Sequence, residues 1–420
     1  METFPKIFKL RQKANPPRLE NVEQELSRQL REFEFSKKVR RGDRVGITAG
    51  SRGIKDNPKV IKTLVGHLKE IGACPFIVPC MGSHGGGTAE GQVEVLESLG
   101  ITEEKMAAPI LSSMEVKEVG RSKFGTPVVV DRNLSSMDKI VVINRVKPHT
   151  DFRGEIESGL MKMLVIGIGK HEGALIAHRL TIQHGYVDVI LEKGRIILQK
   201  LPILLGIGII ENQYDETAFV ELVKPEEFVE KEKGLLKKAR GLMPGLPFDR
   251  MDLLMVDELG KDISGAGMDT NVIGRLSFIG SPRPDTPKIT RIFVRDLSEA
   301  THGNASGIGM ADYTTRRCVE KIDPVSTNVN CITSMSPEDA RIPIAFDTDQ
   351  EAIDASYHTA GVLKPPAFRV LWIKNTLQTE YLFASQAFLE EARINPTLEI
   401  LGDPIDFPFD ERGNLMAQWK

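Results

Sequence analysis

Residues 146–179, VKPHTDFRGEIESGLMKMLVIGIGKHEGALIAHR, hold three of the chain's eight histidines and one lysine, Lys162, inside an apolar run. An amine in apolar surroundings loses basicity and gains nucleophilicity, which prepares it for covalent attachment. The same residue type can also pack its stem and send its ammonium to solvent, so two readings stand. Upstream, His84 precedes Gly85, Gly86 and Gly87, residues without a Cβ that let backbone approach a ligand. His149 follows Pro148 at the end of a predicted strand. Imidazoles titrate near neutrality, so His84 and His149 can serve as acid and base in one site. Two such groups on opposite sides of a carbon are what a racemase needs.

The other histidines are plainer. His67 and His358 fall in predicted helices with no polar cluster around them. His171, His178 and His184 are spaced by seven and six, not the three or four of a helical metal pair. Gly167, Gly169 and Gly173, with Asp188 downstream, resemble a dinucleotide-binding turn. The run before them makes a poor buried strand because it contains Lys162. Two rival functions follow: an NAD(P)-dependent oxidoreductase, and a non-catalytic protein that binds a metal or nucleotide.

The elements that must position these residues alternate. RVGIT (44–48) reads as a strand ending at the loop that holds Ser51 and Arg52. Asn57–Pro58 reads as a helix start, with Val60, Leu64 and Leu68 continuing it. Phe76 to Val78 and KIVVIN (139–144) are further strands, leading to His84 and His149. This rhythm predicts an α/β fold, with Arg52, His84 and His149 on loops at the carboxyl edge of one sheet. A length of 420 residues predicts two α/β domains. The first spans 1–245 and the second 246–395, with the active site expected in the cleft between them. The tail, 396–420, is open to packing back on the first domain. DLLMV (252–256), KITRIFV (288–294) and RVLWI (369–373) read as strands of the second.

A net charge of −3 gives no reason to expect nucleic acid or an anionic membrane. No apolar run reaches the length of a membrane span, and no signal-like stretch opens the chain, so a cytoplasmic protein is expected. Cys74, Cys80, Cys318 and Cys331 fit no zinc or redox spacing, and Cys74 and Cys80, which flank a strand-like stretch, read as buried free thiols.

With these residues in view, the sequence resembles the nickel-dependent lactate racemases and related 2-hydroxyacid racemases and epimerases. Gly82-Ser83-His84 with Thr88 is similar to that family's first histidine segment, and Pro148-His149 to its second. Lys162, Gly167-Ile168 and His178 resemble its cofactor-bearing lysine, Gly-Ile pair and nickel-binding histidine. The resemblance implies a nickel-pincer nucleotide attached covalently at Lys162, with His178 on the metal. It implies His84 and His149 as the catalytic pair, Arg52 on the substrate carboxylate, and cofactor contacts from Ser51, Gly85 and Gly86. The implied reaction inverts C2 of a 2-hydroxyacid by proton-coupled hydride transfer, with cofactor-biosynthesis proteins as partners. Gly267-Met268-Asp269-Thr270-Asn271 is similar to a second-domain segment whose substrate lysine has no clear match here; Lys261 or Arg275 is expected to replace it. The interval from His149 to Lys162 is longer than in lactate racemases and carries Asp151, Arg153, Glu155 and Glu157. Ala49 also stands where an acid is usual. Both departures point to a hydroxyacid other than lactate.

Overall fold

The structure is a computed structural model that describes residues 4–279, 281, 284–416 and 419. Its contacts divide the chain into two units. One comprises residues 16–149 and 153–243; the other comprises 1–15, 150–152 and 244–420.

The unit of 16–149 and 153–243 is built on a five-stranded sheet. Its strands run in the order Cys74–Pro79, Arg44–Ala49, Lys139–Arg145, Ile203–Glu211 and Thr217–Val223. The first four are parallel and the last is antiparallel. KIVVIN forms a strand because its β-branched run is buried on both faces, as a central parallel strand requires. The helix Asn57–Ile71 covers the sheet with Val60, Ile61, Leu64, Val65 and Leu68, and Gly72 ends it with φ +85°. Its N-cap is Asp56 rather than Asn57, which lies buried inside the first turn. The strand order reverses where Arg44–Ala49 lies between its two neighbours, the place where sheets of this kind bind ligands. The loops carrying Arg52 and His149 leave the two strands at that point.

The other unit holds an eight-stranded sheet. Five parallel strands, from Ile344–Phe346 through Val370–Ile373, continue into Tyr381–Ser385, Ile7–Gln12 and Leu398–Ile400. The sequence placed the chain start in the first domain and left the tail open to joining it. Instead Ile7–Gln12 pairs with Tyr381–Ser385 on one side and with Leu398–Ile400 on the other. The buried Ile7, Phe8 and Leu10 require that sheet, and Trp419 fastens the tail by donating its indole N–H to Asp257 at 2.7 Å. Cys80, Cys318 and Cys331 are buried free thiols, whereas Cys74 is exposed. Among the described residues, no helix is long and apolar enough to cross a membrane.

Candidate active site

Lys162 sits where two kinds of helix meet. Leu160–Lys162 is α-helical, and Met163–Gly167 continues as a single π turn, with Ile168 N–H bonded to Met163 O at 2.9 Å. Such π turns recur at functional sites because they re-aim side chains. The residues immediately before Gly167 are helical and form no strand. The dinucleotide-turn reading needs one, so it fails, and the oxidoreductase reading loses its motif.

Close packing holds this segment against the sheet edge. A Cβ at Gly167 would lie 2.8 Å from Cys80 O, and one at Gly82 would lie 3.3 Å from Ile166 O. The start of the segment is held by a carboxyl from a distant helix. Glu232, fully buried on Phe228–Arg240, accepts the Met161 N–H at 2.8 Å. A side chain at Gly159 would collide with that carboxyl, 2.4 Å from Glu232 Cδ.

Burial pushes the Glu232 carboxyl up to about 7. Between its ordinary range and 7, the folded chain holds a proton that the unfolded chain has lost. The stability this provides is complete at low pH and disappears as pH rises through 7. Glu232→Gln keeps an acceptor for Met161 N–H without the charge. It is expected to match the parent within about 1 kcal/mol at pH 5 and to exceed it at pH 8 by up to about 3 kcal/mol. Denaturant unfolding at the two pH values checks this; a difference that does not grow with pH rejects it.

His149 is fixed by its own backbone. Glu157, fully buried, accepts the His149 N–H at 2.6 Å and the Gly154 N–H at 3.0 Å, and pairs with Arg240 at 2.6 Å. Arg153 donates to the His149 carbonyl at 2.5 Å. Two charges of the interval read as a substrate feature thus hold the loop, and a third, Glu155, pairs with Lys233 at 3.0 Å.

The Lys162 ammonium donates to Nε2 of His149. Burial, and then the positive charge of Lys162, keep His149 neutral well below its ordinary titration range. His178, on the helix Lys170–His184, is pushed down to about 4 by burial and then by Lys162. Tyr186 joins the group: its ring centroid lies 5.9 Å from both imidazoles, and its hydroxyl is 3.1 Å from His178 Nδ1. The structure therefore brings Lys162, His149 and His178 together. It adds Tyr186, whose only sequence signal is its place just past His184-Gly185.

The loop of His84 stands on a buried polar network. Lys170, fully buried and at φ +55°, donates to Pro79 O at 2.8 Å and to Gln92 Oε1 at 2.5 Å, with Asp131 3.7 Å away. Gln92 in turn donates to the carbonyls of Gly82 at 3.0 Å and His84 at 3.3 Å. The His84 imidazole is exposed above this support, as is Arg52 in its own loop, with Ser51 half-buried beside it. Gly85 is required by packing, since a Cβ there would lie 2.5 Å from the Gly91 backbone; Gly86 faces open space. His171 and His184 stay outside the group, both exposed, with His184 stacked on Phe124.

Lys261 and Arg275 belong to the other unit. Lys261 donates its ammonium to Gly265 O. Arg275 donates to Met310 O and Thr290 O, both at 2.9 Å, and pairs with Asp312 at 2.7 Å, which is a strand-end brace.

No three His, Cys, Asp or Glu side chains gather into a metal site among the described residues. A metal bound at His178 would take its further donors from a cofactor. The donor set fits that arrangement: one neutral imidazole stands beside a half-buried lysine amine.

No curated protein matches the chain significantly. Among solved structures, a protein from Thermotoga maritima shares the fold with a TM-score of 0.53 at 13% identity, over 87% of this chain and 99% of that one. The lactate racemase apoprotein from Thermoanaerobacterium thermosaccharolyticum follows with a TM-score of 0.51 at 10% identity, over 86% and 95%. At these identities the likeness is one of fold. The sequence itself matches the family model of the lactate racemase N-terminal domain over residues 4–188, a stretch that includes Arg52, His84, His149, Lys162 and His178. Over residues 4–188, this chain is therefore similar to the lactate racemase N-terminal domain family.

Proposed function

We propose that this protein is a racemase or epimerase that inverts C2 of a 2-hydroxyacid, lactate-like or larger, with a nickel-pincer nucleotide carried on Lys162. The observation that carries the reading is the meeting of Lys162, His149 and His178 in one unit, inside a segment that matches the lactate racemase domain. The chemistry explains the choice of cofactor. The hydrogen on C2 is weakly acidic because the neighbouring carboxylate resists a second negative charge. When bound, the cofactor supplies a sink that takes this hydrogen with its electron pair and returns it.

The chain's own residues do the rest. Lys162, half-buried and lined by apolar neighbours, supplies the amine for attachment. His178, neutral down to about pH 4, would supply an imidazole to nickel, a metal that takes nitrogen donors. His149 accepts a hydrogen bond at Nε2, so that atom carries the lone pair, which would take the substrate hydroxyl proton once Lys162 is attached to the cofactor and no longer donates to it. His84 is the second acid/base group, serving the opposite enantiomer. Arg52 offers a planar guanidinium to the carboxylate. Ser51, Gly85 and Gly86 line the cofactor, and proteins that build the cofactor are the partners required.

The test is mass spectrometry of the Lys162 peptide, with nickel analysis, on protein made beside a cofactor-biosynthesis system. A nucleotide-sized adduct with bound nickel is expected, and both should vanish in Lys162→Ala. An unmodified lysine, under conditions that load a lactate racemase, overturns the reading.

A further inference from the structure

We infer that Tyr186 is a positioning residue for His178: its hydroxyl oxygen accepts the Nδ1–H and so presents the Nε2 lone pair outward. The inference rests on the reading of His178 as the nickel ligand. Three observations carry it. Tyr186 Oη lies 3.1 Å from His178 Nδ1. The phenol is buried and stands edge-on to the imidazole, at 80° between ring planes. Gly185, at φ +75°, ends one helix and lets Tyr186 open the next, which returns the ring against the helix that carries His178.

The direction of this hydrogen bond decides what the imidazole can do. A neutral imidazole has one N–H and one lone pair. If the phenol donated to Nδ1, the proton would sit on Nε2 and close that atom to a metal. If Nδ1–H donates to the phenol oxygen, Nε2 is open. Metal-bound histidines commonly have their second nitrogen held in this way, and loss of such a support typically costs about 10–100-fold in metal affinity. Tyr186 also lies against His149, with centroids 5.9 Å apart. One phenol thus orients the metal-facing imidazole while packing beside the base.

The experiment uses the full-length apoprotein with nitrogen-15 in its histidines, so it needs no cofactor. Long-range proton–nitrogen correlation spectra at pH 7 identify which nitrogen of His178 carries hydrogen, with His178→Gln giving the assignment. The Nδ1–H form is expected in the parent, with a shift towards Nε2–H in Tyr186→Phe. That substitution removes one oxygen and keeps the ring, and a melting curve confirms that the fold is retained. A parent in the Nε2–H form, or a Tyr186→Phe spectrum identical to the parent's, overturns the inference. On loaded protein, nickel affinity is expected to fall about 10–100-fold in Tyr186→Phe. If the parent binds no nickel, the functional reading fails, while the apoprotein spectra still decide the tautomer.

Discussion

Alanine at position 170 is expected to lower folding stability by about 3–5 kcal/mol. Lys170 is fully buried, and its ammonium serves Pro79 O and Gln92 Oε1 beside Asp131. Removing it leaves a buried carboxyl without its counter-charge and two acceptors without a donor. Burial already pushes the Asp131 carboxyl upward, against the pull of Lys170, so the loss falls on a group that tolerates little more. Urea unfolding at pH 7 measures the effect, and a loss under about 1 kcal/mol would show that water replaces the ammonium. Asp131→Asn combined with Lys170→Met should recover part of the loss, because the charge is then removed from both sides. Function should suffer beyond stability. Gln92 without Lys170 is a looser brace for the carbonyls of Gly82 and His84, so racemisation should decline even where the fold survives.

His149→Ala is expected to slow racemisation by about two to four orders of magnitude, the usual worth of a positioned acid or base. The loss should be equal in the two directions at low substrate, because the two kcat/KM values are tied by the equilibrium constant. His149 stays neutral well below its ordinary range, so the acid limb of the parent's pH–rate profile should lie below about 6.5 and not at it. Polarimetry on purified, loaded protein from pH 4.5 to 8 checks both statements. Undiminished turnover in His149→Ala would remove it from the acid/base pair, and a parent profile breaking at 6.5 would place another imidazole in charge.

Much of this was legible in the sequence, for identifiable reasons. Parallel strands buried on both faces advertise themselves as short apolar runs, and KIVVIN, DLLMV and RVLWI all became strands. Residues whose type carries chemistry were visible too: Lys162 and His149 stood out, His178 was singled out only by the family resemblance, and the three converge. What supports them was hidden, because it comes from far along the chain. Glu232 reaches Met161 across 71 residues, and Lys170 reaches Gln92 across 78. Lys170 itself read as part of a glycine turn, since nothing local marks a lysine that will be fully buried. The charged interval after His149 misled for the same reason: Arg153 and Glu157 look like substrate chemistry until their partners are known. The π turn after Lys162 escaped as well, because five apolar and glycine residues show no period.

The placement of Ile7–Gln12 between Tyr381–Ser385 and Leu398–Ile400 has a consequence for biosynthesis. A ribosome adding about 5–20 residues per second takes on the order of tens of seconds to reach the neighbours of that strand. Throughout that interval Ile7, Phe8 and Leu10, all buried at the end, have no sheet to enter. The unit of 16–149 and 153–243 draws every strand from residues emerging earlier, so it can mature while the opening strand still waits. Nascent chains should therefore be most prone to aggregate just before translation of the last strands, and a shortened C-terminus would leave an orphaned strand at the opposite end of the polypeptide.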